Sequence, residues 1–243
     1  MTKTLSISRI DVEKTLKNKD IVLSDYHLQE QLLWEIFGKY PKNTDYGQVY
    51  LKVAMLNTFY STGIQDVASV ARNIVDNITN ADKLMKDGDL TVVHRIALVN
   101  HGKNGEDNWI NHFSFATKYC SFHYPKRYPI YDDLVYRVLS KLRKSLTTMP
   151  FDQETFKDKQ WSEKKKAKCG YALYKDIYNR FVKLYATNFN EKDYKTVDRY
   201  LWGSRKIAGM ADDDRRISGE NSSKKSAFDA VRSNALNEFM NAK

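Results

Sequence analysis

A chain of 243 residues, 42% hydrophobic and 29% charged, suffices for one sizeable core or a core divided between two lobes, and excludes a disordered chain. No window approaches 18 uninterrupted apolar residues, the stretch MTKTLSISRIDVEKTL has no apolar signal core, and two cysteines, Cys120 and Cys169, are too few for a disulfide framework or a four-cysteine metal site. The expectation is a cytoplasmic protein. Its +10 charge points to a polyanion, most simply nucleic acid, and +5 of that excess falls within 141–168.

Helical spacing runs through most of the chain. A first helix is expected over 24–38, with Leu28, Leu32, Leu33 and Ile36 on one face, Ser24 as cap and Gly38 as stop. Helices over 46–60 (Val49, Val53, Leu56, Tyr60) and 64–78 (Val67, Val70, Ala71, Ile74, Ile78) flank a tight turn at Gly63. Two more are expected over 89–100 and from Asn108 to Phe122, with no strand between them. Pro125 and Pro129 make Lys126-Arg127-Tyr128 extended or turned. Helices then resume over 132–142, 171–187 and 191–203. The lysine-rich piece 150–168 reads as a loop or insert, 204–225 as a flexible segment, and 226–240 as a last amphipathic helix. The class is all-α, a single helical domain over 1–243.

The stretch carrying chemistry is FSFATKYCSFHYPKRYPIYDDLVYRV, residues 113–138. Lys118 sits in an apolar, aromatic helix, where desolvation disfavours the ammonium, and a neutral amine forms Schiff bases. Asp132 follows a proline-bounded loop at the start of the next helix, where free N–H groups and the dipole hold a carboxylate ionised. An amine nucleophile beside an ionised aspartate is the division of labour that breaks a glycosidic C–N bond.

In this stretch the chain resembles the helix-hairpin-helix DNA glycosylase superfamily, the group of endonuclease III and the 8-oxoguanine glycosylases. That family places a catalytic lysine just after a hairpin and an aspartate later, in V-D-x-H-[VI]-x-R; Tyr131-Asp132-Asp133-Leu134-Val135-Tyr136-Arg137-Val138 is similar, with Leu134 in place of histidine. The Lys118-to-Asp132 spacing is about one helical turn shorter than the family's, which keeps the flanking faces in phase. Residues 49–67, VYLKVAMLNTFYSTGIQDV, resemble the early block L-L-S-x-Q-[AST]-x-D, with Tyr60 at the place of the residue that fills the gap left by a flipped base, and Asn57 and Thr62 beside it. The resemblance covers about 45–140. It implies a two-lobed helical bundle of glycosylase type, double-stranded DNA as partner, Lys118 and Asp132 as catalytic residues, Asn57, Tyr60, Lys126 and Arg127 as DNA contacts, and no metal or nucleotide cofactor. His112-Phe113-Ser114-Phe115-Ala116-Thr117, at the family's hairpin L-P-G-[VI]-G, holds no glycine. That departure motivates a second reading, a non-catalytic DNA-binding sensor in a bacterial defence or repair system.

Plainer readings stand beside these. Lys118 could snorkel its amine to the surface and Asp132 could be only a helix cap. Cys120 and His123 form C-x-x-H with His112 nearby, yet without a further ligand they read as packing or pocket lining. Phe59, Tyr119, Phe122, His123 and Tyr124 are candidates to line a base pocket. Lys164-Lys165-Lys166 with Lys168 is either a phosphate contact or an exposed loop, Asp212-Asp213-Asp214 a solvated run, and the tryptophans mainly core.

Overall fold

The computed structural model describes residues 9–17, 25–102, 107–132, 135, 139, 170–185 and 194–207. Among the described residues the regular structure is helical apart from one antiparallel pair of short strands. In chain order they form α1 (Arg9–Leu16), α2 (Asp25–Lys39), α3 (Tyr46–Tyr60) and α4 (Val67–Arg72), which continues into a π-helical turn at Asn73–Asn77. Then come α5 (Ala81–Asp87), α6 (Thr91–Ala97), β1 (Leu98–Asn100), β2 (Trp109–Asn111), α7 (Phe113–His123), α8 (Gly170–Tyr185) and α9 (Tyr194–Ile207).

Capping explains where the helices start and stop. Asp45 accepts the Gln48 amide at 2.8 Å and opens α3; Asp66 accepts the Ser69 amide at 3.0 Å and opens α4. Ser61 closes α3 in the left-handed region, φ 48°, and donates its amide to the Asn57 carbonyl. Gly63, at φ 76°, completes the turn expected there. Val49, Val53, Leu56 and Phe59 on α3 and Val70 and Ala71 on α4 are buried against the rest of the core.

Two short helices, α1 and α5, were not expected from the sequence. The helix expected from Asn108 is a correction. Residues 98–100 and 109–111 form an antiparallel pair of strands, Leu98 with Asn111, Val99 with Ile110 and Asn100 with Trp109, and α7 starts at Phe113. The physical cause lies in Asn100, whose Oδ1 accepts the Gly102 amide at 2.9 Å and the Asn108 amide at 3.0 Å. The His112 amide also donates to the Ala97 carbonyl at 2.7 Å, so the backbone of this segment is satisfied across strands rather than along a helix. Trp109 lies on this hairpin and is 49% exposed, which removes it from the expected core.

Helix α7 is the central element. Phe115 through Phe122 are all buried, and α2, α3 and α6 pack on it. Helix α8 pins the Pro-bounded segment that follows: the Tyr171 hydroxyl donates to the Pro129 carbonyl at 2.9 Å and the Tyr174 hydroxyl to the Ile130 carbonyl at 2.6 Å. Tyr178 reaches α9, donating to the Tyr194 carbonyl at 3.0 Å. These tyrosines join helices through aromatic faces and capped hydroxyls. Of the helix expected over 132–142, Val135 and Leu139 are helical and buried, and most of the rest lies outside the described residues. The segments 150–168 and 226–240 and nearly all of 204–225 also lie outside them, as do Cys169 and Trp161.

Candidate active site around Lys118 and Asp198

Lys118 is 3% exposed, in the second turn of α7. Its Nζ donates to Ser114 Oγ at 2.6 Å and to the Tyr131 carbonyl at 3.2 Å. The same helical turn grips Tyr131 twice more: the Tyr131 amide donates to Thr117 Oγ1 at 3.0 Å, and Ser114 Oγ donates to the Tyr131 carbonyl at 3.3 Å. Position 131 is therefore clamped by i, i+3 and i+4 positions of one helix, Ser114, Thr117 and Lys118, which share a face. The half-buried Asp132 is the next residue, so the amine is bonded to the peptide that leads into the aspartate.

Tyr60, at the end of α3, covers the amine. Its ring centroid is 5.6 Å from Lys118 Nζ and 5.9 Å from the Phe122 centroid. Asn57, one turn earlier, points elsewhere. Its Oδ1 accepts Thr62 Oγ1 at 2.8 Å and the Ile64 amide at 3.0 Å, while its Nδ2 donates to the Ile64 carbonyl at 2.9 Å. The Asn57 side chain thus holds the α3–α4 turn. Lys126 and Arg127 are exposed on the turn after α7, with Arg127 packed at 3.2 Å over the position a Gly88 Cβ would occupy.

Helix α9 completes the cluster, and the sequence reading had not singled it out for chemistry. Lys195 Nζ lies 2.5 Å from Glu30 Oε1 on α2 and 3.4 Å from the Tyr60 hydroxyl; Arg199 reaches Glu30 Oε2 at 3.0 Å. The Lys195–Glu30 contact is close but not aligned as a hydrogen bond. Burial lowers the Lys195 amine to about 8, Arg199 adding to the shift and Asp198 opposing it. Asp198 Oδ1 is buried and accepts no hydrogen bond. Burial pushes this carboxyl up to about 6; the nearby Asp132 charge acts in the same direction, and Lys195, Lys118 and Arg199 act against it. The amphipathic spacing of 191–203 announced a helix, but nothing local marks Asp198 off from an ordinary surface acid.

A second buried amine has a different character. Lys52 is fully buried, and its Nζ donates to the Tyr40 and Lys42 carbonyls at 3.0 and 2.9 Å and to Asn43 Oδ1 at 2.8 Å, with His123 Nε2 at 3.3 Å. The Tyr119 hydroxyl donates to the same Asn43 oxygen, and Asp82 accepts from Asn43 Nδ2 at 2.6 Å. Every direction around this ammonium is filled by acceptors that tie the α2–α3 loop to α7. It is a structural tie. His123 and Tyr119, read as pocket candidates, belong to it.

His112 lies 2.9 Å from His101 through their Nε2 atoms, and His101 Nδ1 is 3.7 Å from Asp66 Oδ2. Cys120 is buried in the core, where desolvation raises its thiol far above the usual range. Among the described residues no three His, Cys, Asp or Glu side chains converge as a metal site. Among them, too, no helix is long and apolar enough to cross a membrane.

A family model described as HI_0787_N, N-terminal domain, matches residues 8–127. Lys118 and Tyr60 fall inside that match; Asp132 and Asp198 follow it. The chain is 33% identical over 146 residues to an uncharacterized protein of Haemophilus influenzae, an alignment covering 60% of each chain. The chain thus spans less than two thirds of that relative's length. No solved structure matches.

Proposed function

We propose that this chain is a DNA N-glycosylase whose Lys118 carries an accompanying lyase step. The observation behind this reading is the clamp that ties Lys118 Nζ to the Tyr131 carbonyl, 3.2 Å away, and so sets a desolvated amine beside Asp132 under the Tyr60 ring. Duplex DNA binds across the turn bearing Lys126 and Arg127, and one nucleotide leaves the stack. Asp132 stabilises positive charge developing at the sugar. The neutral Lys118 amine attacks C1′, and the C1′–N bond breaks with its electron pair leaving on the base. The new ammonium then gives a proton to O4′ as the C1′–O4′ bond breaks and the sugar ring opens, which leaves an iminium between Lys118 and C1′.

The experiment is borohydride trapping on a panel of duplexes carrying damaged or modified bases, comparing wild type with Lys118→Ala. A covalent adduct that vanishes in the variant supports the reading and names the base. Base release that persists unchanged in Lys118→Gln overturns the amine mechanism.

A second reading has its own observation. Phe113–Thr117 form the first turn of α7, without a glycine loop to approach a phosphate, and Lys118 already has two acceptors. A protein of this kind would bind DNA as a sensor. Its signature is salt-sensitive binding that survives Lys118→Ala, with no abasic product from any duplex.

A further inference from the structure

A run of direct contacts leads from α9 to Lys118. Arg199 meets Glu30 Oε2 at 3.0 Å, Lys195 Nζ lies 2.5 Å from Glu30 Oε1, and the same Nζ donates to the Tyr60 hydroxyl at 3.4 Å. The Tyr60 ring then covers Lys118, whose Nζ is 5.6 Å from its centroid. Two amines therefore face one ring, since Lys195 Nζ is 6.0 Å from that centroid. Phe122 backs the ring at 5.9 Å between centroids, and is itself packed on Trp34 at 4.6 Å and Phe37 at 5.4 Å. Tyr60 is half-buried and is the last residue of α3, while Lys118 beneath it is 3% exposed. The chain leaves the helix at Ser61, so the ring can change rotamer without displacing α3.

We propose that Lys195, anchored by Glu30, is the positioning residue that holds Tyr60 as a lid over the Lys118 amine, and that Lys118 meets an electrophile only after this ring has turned away. The hydrogen bond from Lys195 to the Tyr60 hydroxyl is the latch. Glu30 fixes the latch by pairing with its ammonium, and Arg199, on the other carboxylate oxygen, keeps Glu30 facing α9. A ring over an ammonium favours the charged form, which is the unreactive one. The closed lid thus covers Lys118 and also holds its proton, and one rotation of Tyr60 removes both effects. Access to the amine is set this way whether or not the substrate is DNA.

The test is reductive methylation of the full chain with formaldehyde and cyanoborohydride. A neutral amine condenses with formaldehyde, losing water, and hydride reduces the iminium to an N-methyl group. Peptide mass spectrometry then gives the rate at each lysine. Lys52, fully buried among its acceptors, reports general loosening, and the exposed Lys126 sets the unprotected rate. In wild type Lys118 should label far more slowly than Lys126, and Tyr60→Ala should raise its rate most. Tyr60→Phe and Lys195→Met delete the latch from its two ends and keep an aromatic lid. Each should raise Lys118 labelling about 2- to 10-fold, the factor one net hydrogen bond contributes to an opening equilibrium, and the double variant should go no further. Lys195→Arg should return the rate toward wild type, with Lys52 protected throughout. Lys118 labelling as fast as Lys126 in wild type, or no faster in Tyr60→Ala, overturns the lid. Unchanged labelling in Tyr60→Phe and Lys195→Met, or Lys52 rising in step with Lys118, overturns the latch. If Lys195→Met does not fold, Tyr60→Phe alone decides it.

Discussion

Lys118 Nζ and the Tyr131 carbonyl oxygen are 3.2 Å apart, so the amine of the central helix is bonded to the peptide that leads directly into Asp132. The contact does two things. It satisfies a buried ammonium, and it ties that ammonium to the peptide that precedes Asp132. Replacement of Lys118 by Met keeps the stem and deletes the amine, while Ser114 Oγ still donates to the Tyr131 carbonyl. On the glycosylase reading the variant should form no borohydride adduct, while its stability changes by only about 0.5–1.5 kcal/mol, the net worth of one hydrogen bond. Trapping gels and chemical denaturation separate the two effects.

Lys126 and Arg127 are exposed cations on a proline-bounded turn. If they neutralise phosphates, Lys126→Ala and Arg127→Ala should each weaken duplex binding regardless of sequence. Each should also reduce the slope of log affinity against log salt by about 1. Fluorescence anisotropy at several salt concentrations checks this; an unchanged slope removes both residues from the interface.

Asn57 should behave as a turn residue. Its side chain makes three hydrogen bonds across Thr62 and Ile64. Asn57→Ala should destabilise the fold by about 2 kcal/mol or more, because buried backbone groups of Ile64 lose their partner. Ser61 beside it offers the opposite sign. At φ 48° it occupies a conformation glycine adopts freely, so Ser61→Gly should raise stability by up to about 1 kcal/mol. Thermal melts of the two variants should move in opposite directions.

Acid should loosen the molecule between pH 6.5 and about 4. Burial lowers His94 and His112 to about 4 from 6.5, with His101 adding to the effect at His112, and it takes His123 lower still. In this window the unfolded chain binds protons at these rings that the folded chain does not, so stability falls as pH falls, by up to about 1.4 kcal/mol per unit for His94 and His123 and by less for the more exposed His112, where solvent screens the effect. Asp198 works the other way. Its pKa, raised to about 6 from 3.8, makes the folded state bind the extra proton between those values and offsets about one histidine there. Unfolding midpoints in denaturant across this window should fall toward acid for wild type. The fall should be shallower in His112→Asn and steeper in Asp198→Asn.

The helices expected over 24–38, 46–60 and 171–187 appear as Asp25–Lys39, Tyr46–Tyr60 and Gly170–Tyr185. Their apolar spacing, and for α3 the Asp45 cap, are contacts within four residues, which the order of residues states directly. The same local logic misread 98–111, where Asn100 bonding Gly102 and Asn108 set a hairpin against a helix-like apolar pattern. Lys118 and Asp132 were singled out because they lie on consecutive elements joined by a short loop. Asp198 was not, since its burial depends on α9 packing back onto α2 through Lys195, Arg199 and Glu30. Tertiary packing likewise made Lys52 a buried tie and turned Asn57 inward to its own turn. Sequence order thus determined most of the helices and set Lys118 and Asp132 a short loop apart. Which charges are desolvated depended on burial and on neighbours from distant segments, and these exist only once the helices are packed.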